Sequence, residues 1–193
     1  MRADARANRQ ELIEAGRRAI AERGTAFSLR TVAQDAGVGI ATLYRHFPTR
    51  DDLVLGVVDE AWARIDEVVD RHEAEWADDP ASAWRSTIQE VAALEIGALA
   101  EQIAPFAASE TVTAAATLRQ LGRETRLAPV LERARAADLL SPDVDAASLV
   151  VAIASLSRPL PEHITTILPD HRAWLVDTFV RGLAVDRASN TDA

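Results

Sequence analysis

Apolar residues recur at helical spacing along almost the whole chain, and clear strand signals are nearly absent. The composition is dominated by Ala, Leu, Glu and Arg, which are all good helix formers. The pattern therefore predicts an all-α protein of about nine helices. The predicted helices cover about Asn8–Arg23, Leu29–Ala36, Ile40–Phe47, Arg50–Trp76, Ala81–Gln102, Ser109–Leu121, Glu124–Leu139, Ala146–Ser157 and Asp170–Val185.

Local signals mark the boundaries between the first four helices. Gly24 follows the first helix, where a residue in the left-handed conformation commonly ends a helix. Ser28 precedes the second helix as a good N-cap. Thr49 and Asp52 stand three residues apart before the fourth apolar stripe, which is close to the spacing of a capping box.

The stretch from Ser28 to Phe47 contains two short helices joined by a turn at Gly37. This is the spacing of a helix-turn-helix, in which the second helix enters the major groove of DNA. An αα-corner of an ordinary helical bundle has the same spacing, so spacing alone leaves both interpretations open. In the third helix we expect Ile40, Leu43 and Phe47 to face inward.

The charge is divided unevenly along the chain. Residues 1–50 hold nine Arg and five acidic residues, a net charge of +4, although the whole chain carries −9. Residues 51–193 hold twelve Arg and 25 acidic residues, a net charge of −13. Such asymmetry is typical of a chain with a nucleic-acid-binding end. The asymmetry does not by itself identify a DNA-binding domain, but it points to a helix-turn-helix head over 1–50 and a second helical domain over 51–193.

Other function classes find little support in the residues. The chain has no cysteine, so it has neither a disulfide nor a thiolate metal site. The histidines show no metal-ligand spacing, and the chain has no Gly-rich phosphate loop and no nucleophile elbow. We expect no enzyme activity, no cofactor and no metal. We also expect the pairs Glu162–His163 and Asp170–His171 to be polar groups in loops.

The N-terminus lacks the apolar run of a signal peptide. No window approaches 18 uncharged apolar residues, so we expect no membrane-spanning segment and a place in the cytosol.

The residues of the helix-turn-helix favour one of the two interpretations. The string LRTVAQDAGVGIATLYRHFPTRDDL, from Leu29 to Leu53, strongly resembles the TetR family of bacterial one-component transcriptional regulators. The resemblance runs from about Asn8 to Val57 and is only architectural beyond it. Where many family members have Ser, Gly and Lys, this chain has Gly39, Ala41 and Arg50.

The resemblance implies a head that binds double-stranded, pseudo-palindromic operator DNA. It implies that Tyr44 and His46 hydrogen-bond phosphates and that Thr42 lies near base edges or the sugar-phosphate. Arg45 can reach a guanine or a phosphate, or can remain a solvated residue. The candidate DNA-binding residues are Arg30, Thr31, Gly39, Ala41, Thr42, Tyr44, Arg45, His46, Thr49 and Arg50.

Two roles stay open at the edges of this set. Thr49 either donates a hydrogen bond to DNA or only caps the fourth helix. Arg2, Arg6 and Arg9 form either a flexible arm that reaches the DNA or a solvated tail.

For the second domain, the resemblance implies homodimerisation and the binding of a small effector. The apolar content favours a largely apolar ligand, which would release a repressor from the DNA of neighbouring genes. An activator, or a helical ligand-binding or interaction module that no longer binds DNA, is the alternative. Candidate pocket residues, although large aromatics at helical spacing are more often plain core, are Trp62, Trp76, Trp84 and Phe106. Candidate dimer-interface residues, with the same alternative, are Leu149, Ile153, Trp174 and Phe179.

Overall fold

The computed structural model describes residues 2–110, 112–113 and 127–184. These ranges contain helices and turns and no strand, so the all-α prediction is confirmed. The helices are α1 (Arg2–Arg23), α2 (Leu29–Asp35), α3 (Ile40–His46), α4 (Arg50–Arg71), α5 (Pro80–Ala93), α6 (Ile96–Ile103), α7 (127–136), α8 (Ala146–Leu156), α9 (Glu162–Ile167) and α10 (His171–Gly182). Short 3-10 turns cover Gly24–Ala26, Glu73–Ala77 and Ala104–Ala108. Most of the helix predicted over 109–121 lies outside the described residues.

The chain divides into two compact units, and the division differs from the predicted boundary at residue 50. The head unit combines Met1–Ala63 with Leu99–Gln120, and the body unit combines Arg64–Ala98 with Leu121–Ala193. The head extends past residue 50 because the first turns of α4 supply Leu53 and Val54 to its core, where both are fully buried.

The core of the head unit is built from one apolar face of each of its first four helices. The buried residues include Leu12, Ile13, Ala19, Ile20, Val32, Ala33, Leu43, Phe47, Leu53, Val54 and Val57. Gly56 is needed at one close approach, because a Cβ there would lie 2.6 Å from the ring of Phe47. Burial of this face fixes how α2 and α3 are presented.

Two predicted helix boundaries and one predicted loop are wrong after the start of α4. The fourth helix ends at Arg71 and not at Trp76, because the chain tightens into a 3-10 turn that buries Trp76. The helix predicted over Ala81–Gln102 is broken between α5 and α6, where Glu95 has a positive φ of 55°. Glu162 and His163 lie in the short helix α9 and not in a loop.

One described stretch, Pro80–Ala108, is long and apolar enough to cross a membrane by length and composition, since an 18-residue window within it has a mean hydropathy of 1.3. This runs against the expectation from the sequence, and it is weak evidence because core helices pass the same test. The stretch is not one continuous helix, since the turn at Glu95 separates α5 from α6. Trp84 and Ile88 of α5 are buried in the body unit.

Candidate nucleic-acid interface

The start of α2 is fixed by a local hydrogen-bond cap. The Oγ of Ser28 accepts a 3.2 Å hydrogen bond from the backbone N–H of Thr31 and lies 2.8 Å from the Thr31 hydroxyl. This satisfies one of the donors that a helix leaves free at its N-terminus. Arg30 is exposed in the same turn. The end of α2 is also determined by a nearby residue, because Gly37 adopts a left-handed φ of 64° that ends the helix.

The third helix contains one residue whose predicted orientation is wrong. Leu43 and Phe47 are buried as expected, but the side chain of Ile40 is 36% exposed. Ile40 is the first residue of α3, directly after the N-cap Gly39, so the preceding turn does not cover it. The core-facing side of this short helix is therefore formed by its C-terminal half.

The remaining α3 candidates form an accessible face. Ala41, Tyr44 and Arg45 are exposed, with Tyr44 at 50%, and Thr42 and His46 are half-buried. The Nε of Arg45 donates a 3.2 Å hydrogen bond to the carbonyl of Ala41, one turn back along the helix. This face carries hydroxyl, imidazole and guanidinium groups, which are donors suited to phosphate and base-edge acceptors.

Thr49 and Asp52 form the capping box that their spacing predicts. The carboxylate of Asp52 accepts from the Thr49 backbone N–H (2.9 Å) and hydroxyl (2.7 Å). The Asp52 backbone N–H donates back to the Thr49 Oγ1 at 3.1 Å. The hydroxyl proton of Thr49 is thus already used inside the protein, which favours the capping role.

The side chain of Arg50 makes two contacts within the head unit. Its Nη2 donates to the carbonyl of Thr25, and its guanidinium carbon lies 4.6 Å from the centre of the Phe27 ring. A cation over an aromatic face and a charge-assisted hydrogen bond both hold the side chain inward. A phosphate contact by Arg50 stays a prediction, and it would compete with these contacts.

The N-terminal arginines, for which a flexible arm and a solvated tail were both open, lie in a helix, because α1 begins at Arg2. The guanidinium carbon of Arg9 lies 5.5 Å from the centre of the Phe47 ring, and Arg9 is half-buried. Arg9 therefore packs against the head core.

The aromatic residues proposed for a ligand pocket do not share one cavity. Trp84 lines a small apolar cavity of about 40 Å³ in the body unit, enclosed by α4, α5, α6, α7 and α8. Trp76 is buried next to Trp84, with ring centres 6.3 Å apart. Phe106 instead belongs to the head core, 6.0 Å from Phe27, and Trp62 also lies in the head unit.

The four dimer-interface candidates differ in how much of each residue is exposed to solvent. Leu149 and Ile153 are buried and line the apolar cavity, so they are core residues. Trp174 is 57% exposed and Phe179 is half-buried. Trp174 lines an open groove with two exposed residues, Ile167 and Leu168. These three residues, the α9–α10 patch, are the accessible apolar surface of this region.

A buried polar cluster in the body unit escaped the sequence reasoning. His72 is only 5% exposed, and its two ring nitrogens lie 2.9 Å from Glu75 Oε2 and 2.9 Å from Glu90 Oε1. Arg71 also bonds to the second oxygen of Glu90. Glu90 is 18 residues from His72, so helical spacing carries no signal of this contact.

Comparison with known proteins gives a family match over the head. The family model described as "Bacterial regulatory proteins, tetR family" matches residues 12–57. An HTH-type transcriptional regulator of Staphylococcus aureus (strain USA300) is 39% identical over 59 residues, which are 30% of this chain and 32% of the relative. The chain thus spans about a third of the length of the curated relatives it matches.

Solved structures extend the likeness to the whole fold. A TetR transcription regulatory protein from Mycobacterium vanbaalenii is 26% identical with a TM-score of 0.60, covering 95% of this chain and 99% of its own. A TetR transcriptional regulator from Streptomyces coelicolor is 27% identical with a TM-score of 0.56, covering 91% and 98%.

Proposed function

We propose that this chain is a transcriptional regulator of the TetR family and that it binds operator DNA through its head unit, within which the family model matches residues 12–57. The observation that carries the proposal is the accessible face of α3, where Tyr44 and Arg45 are exposed on a helix that follows a glycine turn. Because α3 is only seven residues long, we expect many phosphate contacts and few base contacts.

Binding to the DNA that flanks the gene of this protein tests the proposal. We expect the affinity to fall steeply with salt, since phosphate-led binding releases counterions. The double variant Tyr44→Phe, His46→Ala should weaken binding about equally on specific and nonspecific duplexes. Ala74→Ser, an exposed substitution in the 3-10 turn of the body unit, is the matched control and should leave the affinity unchanged.

The alternative function, a helical module that no longer binds DNA, predicts a different outcome. It requires that no flanking duplex shifts at any salt concentration, with the variant and the control indistinguishable. The net charge of +4 over residues 1–50 argues against it.

We further propose repression of neighbouring genes, relieved by a small apolar ligand that enters the cavity beside Trp84. The cavity is lined almost wholly by apolar side chains, including Ile65, Ile88 and Val130, and this favours a hydrocarbon-like ligand. Its volume of about 40 Å³ is far below the few hundred Å³ that drug-sized ligands occupy. A ligand must therefore push the lining apart, and it shifts the protein toward the expanded form.

Transcript levels and thermal shifts test this part. Deletion of the gene should raise the transcripts of its neighbours if the protein represses them, whereas an activator gives a fall. In a screen of apolar compounds, a true effector raises the melting temperature and weakens operator binding, and Ile88→Trp, which fills the cavity, should abolish both effects.

We propose that the protein acts in the cytoplasm as a homodimer on a pseudo-palindromic operator, because one helix-turn-helix offers too small a contact for tight, specific binding. The α9–α10 patch supplies accessible apolar surface for self-association. Sedimentation should give a dimer mass at micromolar concentration. Trp174→Arg should give a monomer, and Ala74→Arg, which adds the same charge at an exposed site in the 3-10 turn, should not.

A further inference from the structure

The N-terminal end of α3 presents an exposed run of residues whose side chains make no hydrogen bonds. Gly39, Ile40 and Ala41 are all exposed, and none has a side-chain donor or acceptor. Ile40 is the bulky member of the run, at 36% exposure. This surface is unusual for a helix end that is expected to approach polar base edges and phosphates.

Ile40 does not belong to the buried core of the head unit. The core side of α3 is already filled by Leu43 and Phe47, which are 0% and 3% exposed. Ile40 stands one helical turn before Tyr44, so these two exposed residues share a face. A β-branched residue also gains little from helix propensity. Ile40 therefore lies on the accessible face with 36% of its surface exposed, outside the core cluster of the head unit.

The N-terminal residues of a recognition helix are the ones that meet base edges in the major groove. Those edges present mainly hydrogen-bond donors and acceptors, and their one bulky apolar group is the C5-methyl group of thymine. An isoleucine set against a donor or acceptor would remove it from water and leave it unpaired, which is unfavourable. Against a thymine methyl group, the same side chain buries two apolar surfaces.

We propose that Ile40 is a specificity-determining residue that reads a thymine methyl group in each operator half-site, with Ala41 beside it. The proposal rests on the DNA-binding function proposed above and adds what the head recognises. The operator then carries a T·A pair opposite the N-terminus of α3. Arg45 remains free to contact another position of the half-site or a phosphate.

Selection of binding duplexes from a random pool identifies the operator half-site directly. We expect one T·A pair to be fixed for the wild-type protein and its preference to be lost for Ile40→Ala. Ile40→Gln, which replaces the apolar contact by an amide suited to adenine, should move the preference away from thymine at that position.

Deoxyuridine substitution then tests the methyl group alone. Replacing the fixed thymine by deoxyuridine removes one methyl group and should weaken wild-type binding by roughly fourfold per half-site. Ile40→Ala should lose most of the difference between the two duplexes, and Ala74→Ser, at an exposed site of the body unit, should respond like the wild type. Circular dichroism and the melting temperature establish that each variant is folded.

The possible failures are distinct. If deoxyuridine at every thymine leaves wild-type affinity unchanged, or if Ile40→Ala keeps the full methyl dependence, Ile40 does not read thymine although the protein binds DNA. If no duplex is selected at all, the proposed DNA-binding function itself is overturned.

Discussion

His72 and Glu90 join the residue after α4 to α5 through a 2.9 Å contact between Nε2 and Oε1. The other ring nitrogen of His72 faces Glu75, also at 2.9 Å. Both contacts are hydrogen bonds only if both ring nitrogens carry protons, which requires the imidazolium form. Burial by itself lowers the pKa of His72, but the hydrogen bonds and charges of Glu75 and Glu90 outweigh it and raise the pKa above its ordinary value.

This raised pKa predicts a stability that falls as the pH rises. A group whose pKa is higher in the folded protein than in the unfolded chain stabilises the folded state when it is protonated. For His72 this stabilisation is fully present below the unfolded pKa of 6.5, and it is lost as the pH rises through the higher pKa of the folded protein. Unfolding by urea should therefore give a lower free energy of unfolding at about pH 8 than at about pH 6 in the wild type. His72→Gln should lack most of this loss.

The matched control is His163→Gln, since His163 is exposed on α9. It should keep the wild-type pH dependence. An unchanged pH dependence in His72→Gln would show that the cluster does not titrate as a unit. Arg71, which also bonds to Glu90, keeps that carboxylate partly compensated when His72 is neutral.

The close packing of α6 on α8 makes a second prediction, which concerns Gly97. Its backbone N–H donates a 3.0 Å hydrogen bond to the buried hydroxyl of Ser157, and an added Cβ would collide with the carbonyl oxygen of Ala154. Gly97→Ala should lower the free energy of unfolding by about 1–3 kcal/mol. Gly182→Ala, at a helical position with open space around it, should be neutral or slightly stabilising. Equal effects of the two substitutions in urea unfolding would contradict the close approach.

The head could be predicted from the sequence because its determinants are local. Ser28, Gly37 and the Thr49–Asp52 pair each act within a few residues, so the residue types and their spacing suffice. Ile40 is the exception. Helical periodicity groups it with Leu43, but at the first position of a helix the periodicity does not tell whether a preceding turn covers the side chain.

The body could not be predicted to the same depth because its determinants are distant in sequence. The helix breaks at Glu95 without a preceding glycine or proline. The break changes the direction of the chain, so that Gly97 contacts Ser157 at the end of α8, 60 residues further along the sequence. The contact of His72 with Glu90 is likewise a product of tertiary packing. Whether an aromatic residue is core or pocket depends on such packing, as the separation of Trp84 from Phe106 shows.

The capping box of α4 predicts that Thr49 matters for folding more than for DNA contact. Thr49→Ala removes both side-chain bonds to Asp52 and should lower the free energy of unfolding by about 1 kcal/mol. Thr49→Ser restores the hydroxyl and should recover most of it. Operator affinity, measured well below the melting temperature, should change less than about twofold in both variants. A tenfold loss of operator affinity for Thr49→Ala with unaltered stability would contradict this prediction and show that the Thr49 hydroxyl contacts the DNA.

Replacement by Met should have different effects at Arg30 and Arg50: Arg50→Met should lower the folding stability, and Arg30→Met should weaken DNA binding. Arg50 holds the Thr25 carbonyl and the Phe27 ring, so Arg50→Met should cost about 1–2 kcal/mol of folding stability. Arg30 is exposed, so Arg30→Met should leave the stability within about 0.5 kcal/mol of the wild type. Its loss should instead appear in DNA binding, where the slope of log affinity against log salt falls by about one for each phosphate contact removed. Chemical unfolding and a salt titration of operator binding, run on both variants, separate the two roles.

The prediction for Arg50 is contradicted if Arg50→Met is fully stable and shows the shallower slope. In that case Arg50 exchanges its contacts within the head unit for a phosphate contact when DNA binds.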